Sequence, residues 1–169
     1  MAVESQPGVK LLQRQIESIG PTQDFRCLSR RVARDRDLVA RQLAEGYPDV
    51  FEVVLPALRE ALERDRSIEN AIIFSYLTQL ARTPDTLIAR KRGIEIAREA
   101  SQKAAEVLSR PDRFDLALEE FDAWLRLDGH ARNPGATADL IAAALFIALR
   151  DGTIELTGVA GRFGRSVFP

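Results

Sequence analysis

Two polar stretches carry the residue types that could do chemistry, and each opens onto an apolar helical run. The first is Asp85-Thr-Leu-Ile-Ala-Arg90-Lys91-Arg92-Gly93. Three consecutive cations on a helix point about 100° apart, so they cannot all face solvent if the helix packs on both sides. Arg grips a phosphate through two N–H groups and Lys acts as a point charge, which makes the trio a candidate polyphosphate grip. Gly93 inside a helix costs about 1 kcal/mol against Ala, and calls for a reason such as close approach of another backbone or a ligand. The plainer alternative is a solvated basic face, with helical-spacing pairs to Asp85 and Glu95.

The second stretch is Asn133-Pro-Gly135-Ala-Thr137-Ala-Asp139, running directly into Leu140-Ile-Ala-Ala-Ala-Leu-Phe-Ile-Ala-Leu149. A helix apolar almost all round is expected to be a buried core helix. Its first turn offers unpaired N–H groups and a partial positive charge. A carboxylate held there, Asp139, needs backbone donors, a basic side chain or a metal ion as partner. Mg²⁺ bound to polyphosphate needs only one or two carboxylates, so Asp85 and Asp139 could share one if the two helix starts converge. Backbone capping is the alternative for both acids.

Other candidates read more plainly. His130, the only imidazole, sits in the polar turn Asp128-Gly-His-Ala-Arg-Asn133, where a surface role is the ordinary one. Tyr47, Asp49 and Glu52 form a third polar turn suited to capping. Phe121 and Trp124 fit a core stripe better than a base-stacking platform. Gly158, Gly161 and Gly164 with Arg162 and Arg165 resemble a phosphate loop only loosely, and a frayed terminus is the simpler reading.

The elements that must position these residues are helical. Leu38, Val39, Gln42 and Leu43 recur at spacings of three and four, as do Val50, Val53, Val54, Ala57, Leu58, Ala61 and Leu62, with Pro48-Asp49 between the two segments. Ser67 is an N-cap signal for 68–81. Thr83-Pro84-Asp85 is another, with a capping hydroxyl, Pro at the first helical position and acid in the first turn; that helix is expected to run to about Leu108. Pro111-Asp112 starts a helix ending at Asp128-Gly129, and the helix after Pro134 stops at Asp151-Gly152. Only Thr153 to Val159 hints at strand alternation. The expectation is an all-α fold, a single multi-helix domain of six or seven helices with an irregular C-terminal tail. Residues 1–26 read as a weakly helical or disordered segment, 27–154 as the helical domain and 155–169 as the tail.

Composition narrows the function classes. At 169 residues with 46% hydrophobic and 29% charged residues, the chain suits one soluble globular domain. Twenty-four basic and 25 acidic residues leave a net charge of −1, so no global field draws nucleic acid or an acidic membrane. A lone Cys27 and a lone His130 exclude an internal disulfide and a Cys/His zinc site. No run of 18 apolar residues and no signal-type segment are present, giving a cytoplasmic expectation.

The two stretches together carry a family resemblance. The Asp85–Gly93 segment is similar to an Asp-Thr-Asn-Leu-Leu-His-Arg-Gly-Gly motif, with Arg90 where the family has His and Arg92 where it has a Gly. The Asn133–Leu140 segment is similar to Ser-Pro-Gly-Gly-Ser-Ala-Asp-Leu, followed by the same apolar helix. Both belong to triphosphoribosyl-dephospho-CoA synthase, and the resemblance spans about Arg34 to Ile154. It implies an all-helical enzyme that uses ATP and 3′-dephospho-CoA, releases adenine and joins the triphosphoribosyl unit to the acceptor's 2′-hydroxyl. On that basis Arg90, Lys91, Arg92, Gly93, Asn133, Gly135 and Thr137 are expected to bind the nucleotide. Asp85 and Asp139 are expected to hold Mg²⁺, with Asp139 also catalytic. The family's N-terminal Ala-Arg-Lys-Pro-Gly and Asn-Thr-Asn stretches do not occur, so the chain reads as the C-terminal half. A homo-oligomer, or a partner supplying the other half, is the corresponding expectation, with no nucleic-acid or membrane partner. The alternative is a non-catalytic helical module that binds nucleotide or polyphosphate, or another protein.

Overall fold

The computed structural model describes residues 37–64 and 67–154, and among these it contains seven α-helices and no strand. The all-α expectation holds. The N-terminal segment, the glycine- and arginine-bearing tail and most of the Thr153–Val159 stretch lie outside the described residues.

Helix α1 (Leu38–Glu45) starts at Asp37, whose carboxylate accepts from the Ala40 N–H at 3.1 Å. A π-helical turn, Val50–Val54, then leads into α2 (Leu55–Glu63). Its cause is local: Pro56 has no N–H to give the Glu52 carbonyl, and the Leu55 N–H reaches back five residues to the Val50 carbonyl instead. Helix α3 (Ile68–Arg82) is capped as expected, the Ser67 hydroxyl accepting from the Asn70 N–H at 3.2 Å.

The next helix departs from expectation at both ends. Thr83 closes α3 rather than opening a new helix, and Asp85 is the N-cap of α4 (Thr86–Arg92). The expected long helix also breaks at Gly93, which ends α4 and starts α5 (Ile94–Leu108) with φ 91° and ψ 158°. That conformation is open essentially to glycine alone. A Cβ there would meet nothing within 4 Å, so backbone geometry, not close approach, accounts for this glycine. A 3₁₀ turn at Pro111–Arg113 introduces α6 (Phe114–Arg126), and α7 spans Gly135–Arg150.

Helix α3 is central. Its Ala71 joins α1, α2 and α7 in one apolar cluster that includes Leu38, Val54, Leu58, Leu140 and Ile147. Its Leu77 and Leu80 pack with Ala104 and Val107 of α5 and Phe121 of α6 in a second. Ala97, Ala100 and Ala104 give α5 a small-residue face that lets neighbouring backbones approach closely, and all three are fully buried. Phe121 and Trp124 do lie in this packing, Trp124 held between Lys103 and Arg132 with ring-centre distances of 5.3 and 4.6 Å. Helix α7 is not buried all round: Leu140, Ile141, Ala144, Ile147 and Ala148 face the core, whereas Phe146 and Leu149 are exposed. None of the described helices is long and apolar enough to cross a membrane.

Candidate functional site: a cleft where three helix starts meet

The two polar stretches come together through one buried carboxylate. Asp85 is fully buried and caps its own helix, its Oδ1 accepting from the Leu87 N–H at 2.8 Å and the Ile88 N–H at 3.2 Å. Its Oδ2 crosses to the start of α7 and accepts from the Thr137 N–H at 2.7 Å and the Thr137 hydroxyl at 2.8 Å. One acid therefore satisfies orphan donors at two helix N-termini and balances the positive ends of both dipoles. Four donors fill the lone pairs of the two oxygens. Asp85 was expected to hold a metal; in the structure both of its oxygens are engaged in tying the two helix starts together. Thr137, expected at the nucleotide, is fully buried and spends its hydroxyl on Asp85.

Two further bonds draw the neighbourhood together. The Thr86 hydroxyl accepts from the Leu38 N–H at 3.0 Å, which brings the start of α1 to the start of α4. The Tyr76 hydroxyl donates to the Pro134 carbonyl at 3.1 Å and pins the turn before α7. Burial, with the Asp85 charge beside it, pushes the Tyr76 phenol above its ordinary range, so it remains a neutral donor. Asp37, Thr86 and Tyr76 escaped the sequence reading. Asp37 alone left a signal, an acid directly before an apolar residue, obscured by the alternating charges of Arg34-Asp-Arg-Asp37.

A cleft of about 550 Å³ opens where these three helix starts meet. Asp37, Val39 and Leu43 of the α1 segment, Thr86, Leu87 and Arg90 of α4, and Gly135, Ala136 and Asp139 of α7 line it. Its walls carry one cation, two carboxylates and several apolar side chains, a mixture of a few polar groups with apolar surface of the kind that lines small-molecule sites. Gly135 is small for a reason: a Cβ there would lie 2.5 Å from Leu87 Cδ2, one of the lining side chains. Asp139 is exposed on the rim rather than buried, and has no ion-pair or hydrogen-bond partner among the described residues.

The basic trio divides. Arg90 lines the cleft, whereas Lys91 is exposed outside the lining. Arg92 reaches Asp128 at 2.8 Å and so fastens the 127–134 turn to the end of α4, while Arg132, within that turn, meets the same carboxylate oxygen at 2.8 Å. Asn133 is exposed, its carbonyl accepting from the Gly135 N–H at 2.9 Å. His130 is exposed and absent from the lining. Asp49 stands at the start of the π-helical turn but its carboxylate makes no capping bond; it is the centre of a buried knot, where Arg41 reaches it at 2.6 Å, Gln79 at 3.2 Å, and its own N–H donates to Gln42 at 2.9 Å. Gln42 falls within the apolar set of the first helix because a polar residue at core spacing gives no sign of its partners.

A sequence model of ATP:dephospho-CoA triphosphoribosyl transferase matches residues 26–157, most of the chain and both walls of the cleft. The chain belongs to this family. Several relatives bear the name probable 2-(5″-triphosphoribosyl)-3′-dephosphocoenzyme-A synthase. The one from Pseudomonas savastanoi pv. phaseolicola is 33% identical over 130 residues, 75% of this chain and 42% of the relative. That of Pseudomonas syringae pv. syringae is 32% identical over 125 residues, covering 72% and 41%. The Malonomonas rubra protein is 28% identical over 105 residues, covering 60% and 33%. The chain thus matches between a third and about two fifths of the length of these triphosphoribosyl transferase relatives. No solved structure matches it significantly.

Proposed function

We propose that the cleft between α1, α4 and α7 takes the triphosphate of ATP, and that the protein acts in triphosphoribosyl transfer to 3′-dephospho-CoA or a related acceptor. The observation that carries this reading is that Arg90 and Asp139, one from each motif of the family, line a single cleft at the meeting of three helix N-termini. With the helix starts already capped by Asp85 and Asp37, the positive charge offered to a phosphate is the Arg90 guanidinium, which can grip it through two N–H groups. Lys91, one residue along, adds charge at the solvent side.

In the proposed reaction the bond between ribose C1′ and adenine N9 breaks, and the acceptor's 2′-oxygen forms the new bond to C1′. The acceptor's hydroxyl proton goes to the departing adenine, so the products are neutral adenine and the triphosphoribosylated acceptor. Oxocarbenium character develops at C1′, and a triphosphate fixed at its far end orients that carbon and offsets its charge. Arg90 binds and orients; Asp139, exposed on the rim, is the carboxylate available to the ribose or to a cation. The residues fit Mg²⁺ carried on the triphosphate, with Asp139 and Asp37 as carboxylates on the same cleft. Among the described residues no group of three or more His, Cys, Asp or Glu could hold a metal unaided. When bound, the ion would neutralise phosphate charge.

Release of adenine from ATP in the presence of dephospho-CoA and Mg²⁺ tests the proposal, with Arg90→Ala as the variant. Adenine release that falls in Arg90→Ala supports it. ATP binding without adenine release favours the alternative of a nucleotide-binding module. No binding of ATP removes the phosphate site altogether.

A further inference from the structure

The face of α7 turned away from the core is apolar and holds both of the helix's charges. Ala138, Asp139, Ala142, Phe146, Leu149 and Arg150 are all exposed and recur at helical spacings of three and four. Phe146 leaves 60% of its surface open and Leu149 leaves 39%. Neither Asp139 nor Arg150 has an ion-pair partner among the described residues, although α7 is otherwise well packed.

The order of these residues along the helix is self-complementary. Turned antiparallel about a point near Ala144, the stripe sets acid against base at both ends and a large ring against small residues between them. Asp139 and Arg150 are separated by about 16 Å along the axis, so both pairs form at one register. We propose that α7 is the seam of a two-fold dimer, in which Asp139 pairs with Arg150 of the partner subunit and Phe146 sits over Ala142 of the partner subunit. A self-matching patch of this kind generates a closed two-fold pair, the commonest oligomer symmetry. Because Asp139 also lies on the cleft rim, the pairing brings Arg150 of the partner subunit to the mouth of each cleft, one Asp139 oxygen taking the guanidinium and the other staying open to the cleft.

The proposal stands apart from the nucleotide reading, because its test reads mass rather than ligand. Sedimentation equilibrium on the full chain, from micromolar upward, is expected to show a monomer–dimer equilibrium. Asp139→Arg and Arg150→Asp, each alone, set like charges against each other twice and weaken the dimer by about tenfold or more. Mixed together, the two variants pair with each other: one supplies both cations and the other both acids, restoring dimer that neither forms alone. Ala142→Arg, which fills the seat of Phe146, removes the dimer without touching either pair. All substituted positions are exposed, and circular dichroism melts identify a variant that fails to fold. A chain that stays monomeric at high concentration, or a dimer indifferent to the charge reversals and to their mixing, overturns the proposal and leaves the face to a different segment or partner.

Discussion

Replacing Asp85 isolates what the buried carboxylate does. In Asp85→Asn the remaining oxygen still accepts from the Leu87 and Ile88 N–H groups, so the cap of α4 survives. The new amide nitrogen faces the Thr137 N–H, which cannot turn away, and the Thr137 hydroxyl, which can. Two charge-assisted bonds and one buried donor are then lost, about 2–3 kcal/mol. Asp85→Ala leaves all four donors without partner and opens both helix starts, about 4 kcal/mol. At about 3 °C per kcal/mol for a chain of this length, the melting temperature falls by about 8 °C for Asn and about 12 °C for Ala. Thr137→Val should cost less in the Asn background than in the wild type, a coupling of about 1 kcal/mol. Circular dichroism at 222 nm with temperature and urea measures all of these. An Ala variant melting within about 2 °C of wild type would refute the tie. A metal-ligand role would instead leave the Asn variant's melting temperature unchanged and remove only an Mg²⁺ effect.

Three further outcomes follow from particular contacts. Gly93→Ala places a side chain at φ 91° and ψ 158° with no neighbour to clash, so it should lose about 1–3 kcal/mol from backbone strain alone; a neutral result in urea unfolding would contradict that cause. Gly135→Ala forces Leu87 aside at the end of a flexible side chain, so stability should fall by only about 1 kcal/mol while the cleft narrows. Nucleotide binding by calorimetry should therefore suffer more than melting, and the reverse ranking argues against the cleft. Burial opposes ionisation of Asp151, but hydrogen bonds from Thr153 and the Arg59 guanidinium outweigh it and hold the carboxyl below its ordinary value. A folded pKa below the unfolded one contributes stability above the unfolded value, and that stability is lost as pH falls through the folded one. The pair is partly exposed, so about 1 kcal/mol or less should disappear between roughly pH 5 and pH 2, and Asp151→Asn should flatten that part of the urea-versus-pH curve.

Much of the fold was legible because caps and breakers are local. Ser67 with Asn70, Pro111 after Arg110, and Asp151-Gly152 each mark an end through chemistry within a few residues. Gly93 was visible too, but its spacing could not tell a glycine inside a helix from one between two helices; only the backbone angles do. The apolar run of α7 gave its helix correctly and its burial wrongly, since composition says that a face is apolar and not whether anything covers it. The site was half legible. Asp85 and Asp139 were singled out as acids at helix starts, yet the contacts reverse their circumstances: Asp85 is the buried, fully bonded one and Asp139 the open one. Pairings across 52 residues, such as Asp85 with Thr137, leave no trace in periodicity.

Calorimetric titration of ATP, with adenosine as the comparison, into the wild type, Arg90→Ala and Arg92→Ala tests the central claim most directly. Arg90 lines the cleft and Arg92 is engaged with Asp128. ATP should bind and adenosine bind far more weakly, with affinity for ATP falling about tenfold or more in Arg90→Ala and much less in Arg92→Ala. Equal affinity of wild type and Arg90→Ala for ATP, or equal binding of ATP and adenosine, would contradict a triphosphate site between α1, α4 and α7.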